Sequence, residues 1–187
     1  GSHWFEGAED QTTYEIGHFL QLATKCNPSI LEVFKAPIVT KVEEEKVRAN
    51  HYLKHTNWTE ELINVFPHVW SPKLAFDAFT GYGLNQRKKM LDNKDDRWEK
   101  YAVAYLRTLW NLEDLLREGT FSLEIKDETF KQQLTEIRDS EWTEGQVVDM
   151  AKELELYAKC ALEDCKHEAD IGKVNEFLLK VRKEFWE

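Results

Sequence analysis

Apolar residues recur along this chain mainly at intervals of three and four, so the elements they predict are mostly helices. The clearest pattern covers residues 95–117. There Trp98, Tyr101, Ala102, Tyr105, Leu109, Leu112, Leu115 and Leu116 form one wide stripe, and Gly119 stands where a C-terminal stop belongs. This helix is expected at the centre of the core. Just upstream, Ser71-Pro72 supplies a cap and a first-turn proline for a helix running through Leu74, Ala75, Ala78 and Phe79 toward Met90. Gly81 and Gly83 lie inside it at a cost of about 1 kcal/mol each relative to alanine, which points to close packing or the approach of a ligand.

Toward the start, residues 15–23 have helical spacing, and the Thr-rich residues 10–14 before them read as a strand leading into that helix. Asn27 is placed to cap and Pro28 to occupy the first position of a short apolar helix over residues 29–34, which Pro37 ends. Residues 41–55, charged on one side and carrying Val42, Val47, Tyr52 and Leu53, read as a surface helix. A short helix over residues 59–65 follows, separated from the middle of the chain by Pro67. Beyond Gly119, residues 120–125 alternate with period two and predict a short strand. Helices are then expected over residues 129–138, from a capping box of Thr143 and Gln146 through Ala161, and over residues 171–185. The fold class is mainly α, in an α+β arrangement: a helical bundle with one or two short strands.

Composition narrows the function classes. With 187 residues, 42% of them apolar, the chain can bury a real core. Its formal charge of -10 argues against broad, non-specific nucleic-acid binding, though a local basic patch is compatible with it. Cys26, Cys160 and Cys165 are too few and too scattered for a disulfide framework, so free thiols in a reducing compartment are expected. No stretch approaches the roughly 20 apolar residues of a membrane span and no signal peptide is evident, so a cytoplasmic protein with no membrane partner is expected. Gly1-Ser2-His3 reads as the scar of a cleaved tag, with the natural sequence expected from about Trp4 and the chain as a fragment.

Most local signatures of chemistry are missing or incomplete. His51 and His55 share a helical face at i and i+4, and Cys160, Cys165 and His167 lie close in sequence, but neither group has a complete set of metal ligands at a suitable spacing. There is no Gly-x-Ser-x-Gly elbow and no Gly-x-x-x-x-Gly-Lys phosphate loop.

Three blocks in series carry a resemblance: residues 10–20 followed by Asn27-Pro28-Ser29-Ile30-Leu31-Glu32; Phe79-Thr80-Gly81-Tyr82-Gly83-Leu84-Asn85-Gln86; and residues 100–107 followed by Leu115-Leu116-Arg117-Glu118-Gly119. In order and spacing they resemble the predicted nucleotidyltransferases of the DNA polymerase β superfamily found in bacteria and their phages. The resemblance covers roughly residues 10–141. It implies that residues 4–40 are the end of a nucleotidyltransferase-like core and residues 41–187 a helical domain, with residues 1–3 left from the tag.

Such enzymes transfer a nucleoside monophosphate from a nucleoside triphosphate to an acceptor, with three carboxylates holding two Mg²⁺ ions. The resemblance places Asp10 at the third carboxylate, as catalytic residue and metal ligand. No Gly-Ser turn with a suitably spaced Asp-x-Asp stands upstream of it, so this chain is expected to be the family's helical C-terminal part and inactive alone. Lys88, Lys89, Lys100 and Arg107 are candidates to face a triphosphate or the acceptor, against the plainer reading of solvated helix faces. Tyr82 and Gln86, one helical turn apart, are candidates to stack on a base and bond its edge, against core packing of Tyr82. Tyr105 stands where the family more often has histidine. The implied partners are a nucleotide and an acceptor that is a nucleic-acid end, a protein side chain or a small molecule. The alternative, favoured by the missing aspartate pair and the negative charge, is a non-catalytic acidic helical module that neutralises or inhibits a protein partner.

Overall fold

Capping and proline positions set most helix boundaries in the computed structural model, which describes residues 15–36, 38–39, 53–54, 58–93 and 96–186. Helix α1 (Ile16–Thr24) starts where the Glu15 carboxylate accepts the His18 N–H. Helix α2 (Pro28–Val33) starts with Asn27 accepting from the Ile30 N–H and with proline at its first position, as the sequence predicts. Strands β1 (Ile38–Val39) and β2 (Leu53–Lys54) pair in parallel. Helices α3 (Thr59–Val69), α4 (Pro72–Asp92), α5 (Trp98–Glu118), α6 (Glu128–Arg138), α7 (Glu144–Asp164) and α8 (Ile171–Trp186) complete the order. The protein is mainly α. Gly119 caps α5 in the left-handed region (φ 77°), where a side chain would be strained, and Thr143 with Gln146 forms the expected capping box of α7.

The chain divides into two compact units. One joins the residues up to Ser71 with those from Glu168 onward; the other runs from Pro72 to His167. In the first, Phe34 meets Phe19 and Phe66, each pair with ring centroids 5.4 Å apart, beside the buried Leu20, Leu31 and Val69. Helix α8 contributes Val174, Phe177 and Val181 to this core. It is tied to α1 by Arg182, whose guanidinium donates to Glu15 at 3.0 Å, and to α3 by the Asp170 N–H, which donates to the His68 carbonyl at 2.8 Å.

In the second unit, α5 is the hub, packed against α4, α6 and α7. Its Leu106, Leu109, Leu112 and Leu115 are fully buried, each contributing about 1.5–3 kcal/mol by leaving water. Trp110 stacks on Phe130 with centroids 4.1 Å apart, and Phe79 meets Phe121 edge-on.

Four sequence expectations are corrected. Residues 120–125 form no strand: Phe121 turns into the core against Phe79, and the Leu123 carbonyl is taken by Arg107, so the alternation marks a pinned loop. Among the described residues the strands are β1 and β2, and Leu53–Lys54 is therefore not part of a helix; residues 41–52 and 55 lie outside the described residues, as does the strand expected at 10–14. Pro67 does not end its helix, which continues to Val69, because a proline this near the C-terminus removes only one of the last backbone bonds. Helix α5 begins at Trp98 rather than at residue 95, since Arg97 adopts a left-handed backbone (φ 59°) that a helix cannot include. The boundary expected at 40/41 also lies outside the described residues.

Candidate functional site

The α4–α5 pair carries most of the residues nominated from the sequence. Along α4, Ala75, Phe79, Gly83, Gln86 and Met90 recur at helical spacing and are buried. A Cβ at Gly83 would meet the Tyr105 ring at 3.2 Å, so this glycine permits close helix packing; nothing lies within 4 Å of the same position at Gly81. Tyr105 is buried, which raises its hydroxyl pKa, and Arg87 hydrogen-bonds to that hydroxyl and opposes the rise. The position where the family more often has histidine is thus a packed phenol.

The remaining nominees separate by burial. Gln86 is buried, Tyr82 is half-buried, and Lys88 is exposed. Arg107 is half-buried and donates to the Leu123 carbonyl, which anchors the loop after α5. Lys89 and Lys100 approach the same ring: each ammonium lies 6.0 Å from the centre of the half-buried Tyr101 ring, one from α4 and one from α5. Sequence reasoning named both lysines but missed Tyr101 as their shared neighbour, which it assigned only to the core stripe. Asp10 lies outside the described residues.

Among the described residues no group of three or more His, Cys, Asp or Glu side chains is placed to hold a metal ion. The three cysteines are free thiols; Cys26 is buried, and its pKa is raised by that burial. No helix is long and apolar enough among the described residues to cross a membrane.

The other unit offers an open groove of about 350 Å³ between α3 and α8, with Val65 and Phe177 in its floor and His68, Lys173 and Glu176 at its sides. Lys180, also on its wall, is committed to Glu61 at 3.2 Å and reaches over the Trp58 ring. Lys35, on the same unit, places its ammonium 3.7 Å above the Phe66 ring, and burial lowers its pKa to about 8.

The Gly81-Tyr82-Gly83 and Leu115-Leu116-Arg117 blocks, which carried the resemblance, lie on α4 and α5, and the class they pointed to, DNA polymerase β-like, is shown by a family match. A family model described as RlaP, RNA repair pathway DNA polymerase beta family, matches residues 5–180, and the chain belongs to that family. Compared with curated proteins and with solved structures, it has no match.

Proposed function

We propose that this protein acts in nucleotidyl transfer, moving a nucleoside monophosphate from a nucleoside triphosphate onto an RNA end. The observation that carries the reading is membership, over residues 5–180, in a DNA polymerase β family described by an RNA repair pathway. In the proposed reaction a terminal RNA hydroxyl oxygen attacks the α-phosphorus and releases its proton to solvent. A new phosphate ester forms, the bond from the α-phosphorus to the bridging oxygen breaks, and pyrophosphate leaves with the electron pair. Mg²⁺ is proposed as cofactor and Asp10 as one of its ligands, on the family membership alone; the described residues offer no metal set, and no step is derived through the ion. Lys88 and Lys100 are proposed to meet the charge of the triphosphate or acceptor, with Tyr82 toward the base, whereas Arg107 is held by the Leu123 carbonyl and Gln86 is buried.

The test is incorporation of label from α-labelled nucleoside triphosphates by the full-length protein, offered RNA with 3′-hydroxyl or 3′-phosphate ends. Label is expected on the 3′-hydroxyl RNA, only with Mg²⁺ present, and lost in Asp10→Asn. Absence of incorporation on every RNA acceptor and nucleotide would refute this reading and favour the acidic binding module.

A further inference from the structure

Lys89, Tyr101 and Lys100 form a point where α4 and α5 bring two cations to one aromatic ring, and the segment around it departs in charge from the rest of the chain. Between residues 87 and 107 there are seven lysines and arginines against four carboxylates, in a protein of net charge -10. Lys100 and Arg97 are exposed, as is Lys89. Arg97 holds a left-handed backbone (φ 59°) immediately before α5, a conformation that glycine or asparagine adopts at lower cost. The net positive charge of this segment, within a chain of net charge -10, makes it a place where a phosphate backbone meets cations.

We infer that this cluster is a docking point for single-stranded RNA, with phosphates on Lys89 and Lys100 and a base against Tyr101. Cations that track a backbone beside an aromatic face are what sequence-tolerant recognition of single strands requires. The assignment rests on the proposed reading of RNA as acceptor, but it concerns binding and is measured without turnover.

The experiment is fluorescence anisotropy of a labelled single-stranded RNA against the full chain over a series of salt concentrations. The double variant K89Q/K100Q is expected to bind about tenfold or more weakly, and its slope of log affinity against log salt is expected to fall by about 1.4, as for two lost phosphate contacts. The matching change K152Q/K159Q, on the exposed side of α7, is expected to leave binding unchanged. Tyr101→Leu is expected to weaken binding about tenfold through lost stacking, and Tyr101→Phe, which keeps both ring and packing, to restore it. Thermal unfolding of each variant separates a binding loss from a folding loss.

Wild-type affinity and salt slope in K89Q/K100Q overturn the proposal. So does a patch that serves the triphosphate instead, seen if MgATP displaces the RNA from wild type and the double variant loses ATP binding in the same proportion. Transfer failing while the binding pattern holds would sink the proposed activity and leave the docking point standing.

Discussion

The two units are built on opposite plans. From Pro72 to His167 every helix packs against a near neighbour in sequence, around a hub of buried leucines. The other unit is assembled from both sides of that segment. Its α1 and α8 are 167 positions apart where Glu15 meets Arg182, and its core depends on three phenylalanines together with α8. The contrast teaches that one unit draws on local hydrophobic burial, while the other adds polar closures that respond to pH.

The largest effect expected from breaking this contrast is in the leucine hub. Leu106→Ala removes a fully buried side chain and should lower stability by about 2–5 kcal/mol in urea unfolding. A loss below about 1 kcal/mol would mean that the hub is not what holds the Pro72–His167 unit.

Next comes the polar closure. Burial alone would raise the Glu15 carboxyl, but the Gly17 N–H, the Arg182 guanidinium and the His18 N–H hold it at about 2, against an ordinary value of 4.5. A depressed carboxyl stabilises the fold fully above its ordinary value, and that stability is lost as pH falls from about 4.5 toward 2. Glu15→Ala should cost about 1–2 kcal/mol at neutral pH by removing both a cap and a partner. Glu15→Gln should flatten the acid limb of the stability curve; an unchanged limb would show that this pair is not the acid-sensitive element.

A smaller effect separates two glycines on one helix. Gly81→Ala should raise stability by about 0.5–1 kcal/mol, since open space surrounds the new methyl. Gly83→Ala should gain nothing or lose, because its methyl meets the Tyr105 ring at 3.2 Å. Equal midpoints for the two variants in thermal unfolding would contradict the close-packing role of Gly83.

The smallest effect belongs to Lys35. Its ammonium releases a proton at about 8 in the folded protein and at an ordinary 10.5 otherwise, so the cost of burying the charge is present below pH 8 and relieved between those values. The Phe66 ring offsets part of that cost. Lys35→Met should therefore remove the rise on the alkaline side, read as the unfolding midpoint across pH 7–10.5.

What the sequence made legible was local. Asn27 with Pro28, Thr143 with Gln146, Gly119 and the stripe of α5 each depend on residues within a turn or two, and each stands as expected. What it hid was set by partners far along the chain. Phe121 alternates like a strand residue because Phe79 draws it inward, which no window of six residues can show. Glu15 was passed over as a cap because its carboxylate is held in place by Arg182. The same holds for the candidate site: lysines could be nominated one by one, but that Lys89 and Lys100 share Tyr101 follows only from the packing of α4 on α5.

The division into an inserted unit and a surrounding one also sets an order of assembly at the ribosome. The Pro72–His167 segment has all its helices before α8 is synthesised, whereas Glu15 must wait for Arg182. At about 5–20 residues per second that wait is on the order of 10–30 s. During it α1 and α2 lack the helix that completes their core, so these two helices are the part that most needs chaperones and is most open to proteases while translation continues.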